Sequence, residues 1–249
     1  MFSFFKRKNT ITPDLSFIGA DMHSHLLPEL DDGVKTLEES IEYIRELSDL
    51  GYKKLICTPH IIADMYPNNV ETILPQLAIV QKAVFDAKIP VTIEAAAEYM
   101  VGLEMEQDLK DGKQLLSFGD RHILIEMSYI APSPNIEQVI FQLCLKGYKP
   151  ILAHPERYNY YQGNLENYQR FIDLGCLLQI NLLSLTGYYG KLSKHVAEKL
   201  LKENMVSLVG TDMHHATHLR ALKDLASQKE LYEKLQAAGI RNKELFLDQ

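Results

Sequence analysis

Short apolar runs alternate with longer amphipathic stretches from about residue 16 to the end of this 249-residue chain. Seven runs read as strands: Phe17–Asp21, Lys54–Thr58, Val91–Ala95, His122–Glu126, Ile151–Ala153, Leu177–Asn181 and Val206–Gly210. Most are apolar on both faces, as strands of a parallel sheet covered by helices must be. Between them the period becomes helical. Thr36-Leu-Glu-Glu39 reads as a capping box, and Leu37, Ile41, Ile44 and Leu47 then form one stripe. Val70, Ile73, Leu77, Val80 and Val84 repeat the pattern, with Pro75 expected to kink or restart that helix. Ser133-Pro134 opens another helix, and residues 165–174, 192–203 and 217–237 are helical in pattern. Strict alternation builds right-handed βαβ units. Seven units predict an α/β fold, a distorted (β/α)7 barrel. It would form one domain over residues 16–249, behind a flexible segment over 1–15. An open doubly wound parallel sheet is the alternative.

Composition narrows the function. The charge is −7, from 26 Lys and Arg against 33 Asp and Glu, and no basic stripe stands out, so nucleic acid is not expected as a partner. No run reaches the roughly 20 apolar residues of a membrane span. The start, Met1-Phe-Ser-Phe-Phe-Lys-Arg-Lys, is too short for a signal peptide, which points to the cytoplasm. Its aromatic-then-basic character suits the inner face of an anionic membrane, though a frayed terminus is the simpler reading. Cys57, Cys144 and Cys176 are expected to be free thiols, and none begins the Cys-x5-Arg loop of thiol-dependent tyrosine phosphatases.

In a parallel barrel the strand exits share one rim, and metal-capable side chains recur there. Asp21-Met-His23-Ser-His25 offers two imidazoles two residues apart, on one side of an extended segment. Asp31-Asp32-Gly33 is a turn by pattern, and beside His25 it makes Asp32 a candidate oxygen ligand. Pro59 in Thr58-Pro-His60 enforces an extended approach to His60. Glu98 lies beyond the third run, whereas Glu94 lies inside it and reads as structural. Glu126 ends Ile-Leu-Ile-Glu, where a buried carboxylate needs a metal or a base such as Arg121. His154 ends the fifth run, and Arg157 follows three residues on with a planar fork suited to phosphoryl oxygens. Asp212 and His214 follow the seventh run; His215 and His218 are taken as exposed. Five imidazoles and four carboxylates exceed one zinc site and fit two or three divalent ions.

The ordered set His-x-His, Asp-Asp-Gly, Thr-Pro-His, Glu-Tyr, Glu, His-Pro-Glu-Arg-Tyr and Asp-Met-His is similar to the PHP (polymerase and histidinol phosphatase) superfamily. Within it, residues 19–249 most resemble the CpsB/YwqE group of bacterial metal-dependent protein-tyrosine phosphatases of capsule and exopolysaccharide biosynthesis. The resemblance implies three ions, with manganese expected and iron or zinc as alternatives. His23, His25, Glu98 and Asp212 would hold one, and Glu98 would bridge to a second with Glu126 and His154. Asp32, His60 and His214 would hold the third. A phosphate-binding arginine maps onto Arg157, and a second maps loosely onto Arg220. Ile61-Ile62-Ala63-Asp64 departs from the basic residues that some members carry there, leaving a more apolar cleft lip.

The implied reaction is phosphomonoester hydrolysis, with a metal-bridged hydroxide attacking phosphorus in line. The implied substrate is phosphotyrosine on a protein, a capsule-regulating tyrosine kinase. Tyrosinate, with a parent pKa of about 10, leaves with little acid assistance. Three rivals stand beside this reading. The first is a histidinol-phosphate type of small-molecule phosphatase. An amidohydrolase would need a bridging lysine where Glu126 stands. A non-catalytic PHP module would have lost ligands, and none is missing.

Overall fold

A computed structural model describes residues 12–161 and 164–247. The first strand, β1 (Ala20–Ser24), leads through α1 (Leu37–Asp49) to β2 (Lys54–Cys57) and β3 (His60–Ile61). Then come α2 (Val70–Asp86), β4 (Thr92–Ala95), β5 (Glu98–Met100), α3 (Leu103–Lys110), β6 (His122–Glu126), α4 (Ile136–Leu145) and β7 (Lys149–Ala153). The chain continues through α5 (Leu165–Asp173), β8 (Leu177–Asn181), α6 (Lys191–Lys202) and β9 (Leu208–Gly210), and finishes with α7 (Ala216–Ala226), α8 (Lys229–Ala237) and α9 (Asn242–Phe246).

The strand ladders follow the orders β1-β2-β4 and β3-β5-β6-β7-β8-β9, every pair parallel. Two joins turn these into one ring. Pro59 has no N–H to donate, so the ladder between the second and third positions breaks there. It resumes where Ala96 N–H donates to Cys57 O (2.8 Å) and Glu98 N–H to Pro59 O (3.1 Å). β2 with β3, and β4 with β5, are therefore two interrupted strand positions. At the other end the chain exit after β9 returns to β1. Asp212 N–H donates to His23 O and His25 N–H to Met213 O, each at 2.9 Å, and Ser24 bridges Met213. Seven positions thus close into the expected (β/α)7 barrel, and the open sheet is set aside. A small apolar cluster of Ala20, Met22, Ile56, Ala96, Leu124, Ile151, Ala153 and Leu208 draws on six positions, with Leu177 against it from the seventh. It fills the enclosed space, and Phe118 and Phe246 pack against each other within it (5.2 Å).

Several boundaries move. β1 starts three residues later than expected, so His23 and Ser24 belong to the strand. Glu98 opens β5 rather than trailing beyond a strand. Thr36 caps α1 by accepting from Glu39 N–H (3.2 Å), but the Glu39 carboxylate turns to Lys35 N–H (2.9 Å) rather than closing the box. Pro75 lies inside an unbroken α2. Residues 217–237 are two helices, parted at Ser227 and Gln228. Of the segment expected to be flexible, residues 1–11 lie outside the described residues. Leu15 is buried and donates its N–H to Leu50 O (2.7 Å), so the fold takes in that part.

Candidate metal centre

All nine expected ligands meet at the C-terminal end of the barrel. Glu98 is wholly buried at the hub: Oε2 lies 3.1 Å from His23 Nε2, 3.4 Å from His25 Nε2 and 3.2 Å from His60 Nδ1, and Oε1 lies 3.0 Å from His154 Nε2. Asp212 Oδ1 reaches His23 Nε2 at 3.4 Å, and Asp32 Oδ1 lies 3.4 Å from His214 Nε2 and 3.6 Å from His60 Nε2. Four sets have ligand atoms within 4.8 Å of one another: His25–Asp32–His60–His214, His23–His154–Asp212, His23–His25–Glu98 and His60–Glu98–Glu126. The residues match the set the resemblance implies, with a different sharing: His60 sides with Glu126, and His154 with His23 and Asp212.

Two observations test whether these residues suit divalent ions. His60 Nδ1 and Glu126 Oε1 lie 2.8 Å apart, yet neither makes an aligned hydrogen bond among the described residues. Such buried orphans cost free energy unless something takes up their lone pairs. His23 and His25 also point Nε2 at each other, 3.3 Å apart, an arrangement that needs a proton or a shared cation between them. The donor set fits hard and borderline divalent metals.

The charges are tightly interlocked. Burial would push the Glu98 carboxyl up, but the imidazoles of His23 and His60 hold it well below its ordinary range. Burial would likewise depress His23, yet Glu98 and Asp212 raise it to about 9. Glu126 is pushed up to about 7 by burial and by neighbouring Glu98. His154 is held down to about 4, chiefly by burial.

A further ring of side chains holds the ligands in place, and the sequence reading did not give these residues roles. Asp31 Oδ2 accepts from His25 Nδ1 (2.7 Å) and from His60 N–H (3.0 Å), while Oδ1 accepts from Gly33 N–H (2.9 Å). It fixes the His25 ring so that Nε2 faces the cluster. Gln179 Oε1 does the same for His23 Nδ1 (2.9 Å), and Asn181 Nδ2 donates to Asp212 Oδ2 (2.6 Å). Gln179 and Asn181 are polar at a two-residue period inside apolar β8, a signal that could have marked them. Asp21 accepts from Thr211 N–H (2.9 Å) and its hydroxyl (2.6 Å), tying β1 to the β9 exit. Glycine is required at position 33, where an added Cβ would meet His25 O at 2.3 Å. At Gly210 it would meet His23 Cβ at 2.8 Å. His154 and Asp212 adopt left-handed backbone (φ 34° and 50°), strain held at two strand exits.

Beside the cluster lies a cleft of about 240 Å³. Arg157 reaches into it from a 3₁₀ turn, Pro155–Arg157, and Nη1 donates to Asp212 Oδ2 (3.1 Å). The guanidinium carbon lies over the rings of both Tyr129 (4.6 Å) and Tyr189 (4.1 Å). Burial pushes the Tyr189 hydroxyl well up, so it stays protonated.

With this geometry in hand, relatives decide the family. Residues 19–244 match the family described as Capsular polysaccharide synthesis, CpsB/CapC. The chain belongs to the CpsB/CapC family. It is 32% identical over 213 residues to the tyrosine-protein phosphatase YwqE of Bacillus subtilis, covering 85% of this chain and 82% of that one. It is 28% identical to the tyrosine-protein phosphatase CpsB of Streptococcus pneumoniae, over 92% of this chain and 95% of the relative. A solved structure from work on those two, called unique metal-dependent tyrosine phosphatases, has TM-score 0.75 at 31% identity, covering 90% of this chain and 94% of its own. A histidinol phosphate phosphatase from Lactococcus lactis, at 12% identity and TM-score 0.53, shares the fold alone.

Within this CpsB/CapC member, two expected placements change. Arg220 is exposed on α7 with Nη2 on Thr217 Oγ1 (3.1 Å), outside the cleft. His218, Leu222 and Leu225 turn inward on that helix, and a residue two positions past His218 is about 200° around the axis. His218 itself is buried rather than exposed; its Nδ1 accepts from His214 N–H (3.3 Å), and it lines the cleft. His215 is exposed as expected. Glu94 pairs with Lys54 (2.7 Å), a structural role, and Arg121 bonds the carbonyls of Lys146 and Gly147, not Glu126. Among the described residues no helix is long and apolar enough to cross a membrane.

Proposed function

We infer that this chain is a metal-dependent protein-tyrosine phosphatase that hydrolyses phosphotyrosine on a protein partner. The observation that carries this is the nine-residue ligand cluster bordering the same cleft as Arg157, in a chain of this family. We assign two or three divalent ions to the cluster, manganese first, with iron or zinc as alternatives. His25, Asp32, His60 and His214 would hold one, His23, His154 and Asp212 another, and His60, Glu98 and Glu126 a third. When bound, such ions lower the pKa of water and offset charge on phosphoryl oxygens.

The chain's own groups do the rest. Arg157 meets the equatorial oxygens through the N–H edge that Asp212 leaves open. The ligands that hold the cluster also exclude bulk water from it, since His23, His25, Glu98 and His154 are all buried. Thiol catalysis is not needed: burial pushes Cys57 up to about 12, and raises Cys144 and Cys176 as well, so each remains a thiol. Tyrosinate departs without a dedicated acid. The capsule setting of the family supports a bacterial tyrosine kinase as the partner, and the aromatic–basic start at Met1 supports work at the inner membrane face.

The test is removal of metal, verified by elemental analysis, followed by manganese reconstitution. Hydrolysis of p-nitrophenyl phosphate and of a phosphotyrosine peptide should vanish and return. Full activity without metal sinks the reading, and faster turnover of histidinol phosphate would move the protein to that small-molecule class.

A further inference from the structure

We propose that Tyr129 and Tyr189 are positioning residues that clamp the Arg157 guanidinium and present its free edge to the phosphoryl group. The proposal rests on the phosphatase reading and adds to it a device on the chain itself.

Three contacts locate the guanidinium. Tyr129 covers one side with its ring centre 4.6 Å from Cζ, and Tyr189 covers it at 4.1 Å. The third contact is the hydrogen bond from Nη1 to Asp212 Oδ2 at 3.1 Å, the only side-chain hydrogen bond of Arg157 among the described residues. A planar cation between two aromatic faces is attracted to both ring quadrupoles and loses rotation about its long side chain. One edge is taken by Asp212. The remaining N–H groups have no side-chain hydrogen-bond partner among the described residues, and Arg157 lines the cleft together with His154 and His214. Planarity matters here, because a lysine ammonium can neither fill a slot between rings nor offer a fork.

The two rings come from different barrel loops. Tyr129 follows β6, two residues beyond Met127, whose N–H is held by the Tyr158 hydroxyl (2.9 Å). Tyr189 follows the 3₁₀ turn Leu182–Thr186 after β8. Arg157 lies between them after β7. Adjacent exits thus converge on one side chain. Neither tyrosine is needed for the Asp212 contact, so the rings add orientation rather than charge. Burial closes off the Tyr189 hydroxyl, which has no partner among the described residues; the ring, not the hydroxyl, makes the contact with Arg157.

The experiment compares Tyr189→Phe and Tyr189→Leu, each alone and combined with Arg157→Ala, on the manganese-loaded enzyme with p-nitrophenyl phosphate. Tyr189→Phe keeps the stack and should stay within about threefold of wild type. Tyr189→Leu should lose about 10–100-fold in kcat/KM, the scale of misplacing a catalytic contact by about 1 Å. Metal content should be unchanged in both. In the Arg157→Ala background the Leu substitution should cost nothing further, because its effect passes through the arginine. At position 129 the hydroxyl also lies 3.3 Å from His154 Nε2, so Tyr129→Leu is read against Tyr129→Phe, which removes that contact and keeps the ring, and the further loss in Leu should again vanish in the Arg157→Ala background. A Leu variant at position 189 with wild-type kcat/KM overturns the clamp, as does an equal loss with and without Arg157. An inactive wild type, or a fully active Arg157→Ala, overturns the phosphatase reading or the arginine's role instead, and is told apart by the single variants run alongside.

Discussion

Replacing Asp31 by Asn tests whether a residue that touches no proposed ion still sets metal affinity. The native carboxylate serves three donors: His25 Nδ1 and His60 N–H at Oδ2, and Gly33 N–H at Oδ1. An asparagine has one oxygen and one NH2. With its oxygen at the Oδ2 place it keeps two donors and sets its NH2 against Gly33 N–H; flipped, it loses two. The negative charge is lost either way, and with it the partner that makes His25 a stronger donor. His25 holds Asp31 well below its usual range, so the interaction is strong in the folded protein. Removing such an outer partner weakens metal binding by about 10–100-fold, or about 1.4–2.7 kcal/mol. The assay is metal titration against a chromophoric chelator, with circular dichroism to establish folding. Rate at saturating metal should fall much less than affinity. A folded Asp31→Asn protein with affinity within twofold of wild type refutes the argument.

Arg157→Ala should retain metal and fold while losing about 2–4 kcal/mol of transition-state stabilisation, read as kcat/KM; Arg157→Lys should recover only part. Arg220→Ala should be indistinguishable from wild type in the same assay, since that guanidinium lies outside the cleft. Glu98→Ala removes the contact shared by four imidazoles, so elemental analysis should find fewer ions per chain together with a loss of rate. Glu156 is fully buried, with Oε1 accepting from Asn181 N–H and the Ser184 hydroxyl, and burial raises its carboxyl from 4.5 to about 7. The fold therefore prefers its protonated form: stability is fully present below about pH 4.5 and falls, by about 3 kcal/mol, as pH rises to 7. Glu156→Gln should flatten the Tm profile across that window, and an unchanged slope would count against the assignment.

The ring of strands was legible because parallel strands buried on both faces leave near-continuous apolar runs, and the ligands because imidazoles and carboxylates end those runs. Register was less legible. The first apolar run ends at Asp21, yet the backbone of His23 and Ser24 stays in the strand because its bonds depend on neighbouring strands, not on side-chain polarity. The same limit hid α3 and α9. In α3 only Met105 and Leu109 are buried, too few to make a stripe, and α9 is five residues long. Supporting roles were hidden for a different reason. Gln179 and Asn181 show a polar two-residue period, but their partners His23 and Asp212 lie far off in the sequence, and Tyr129 and Tyr189 act on Arg157 through ring faces that no local spacing encodes. Arg220 stands exposed on α7 outside the cleft, and its position was carried across a loop of different length onto a helix, where one residue of slippage turns a side chain by about 100°.

The electrostatics show why so polar a cluster persists in a folded core. Taken singly, burial would neutralise each group by raising the carboxyls and lowering the imidazoles. Packed together, they reverse that outcome: Glu98 and Asp212 are held well below their ordinary values, and His23 is raised to about 9. Two groups follow burial instead: Glu126 is pushed to about 7 beside Glu98 with Oε1 unpartnered, and His154 is held down to about 4. A divalent ion would share its charge among several of these ligands and would take up the orphaned lone pairs. The facing Nε2 atoms of His23 and His25, costly in the protein chain alone, are an arrangement that a shared cation would satisfy.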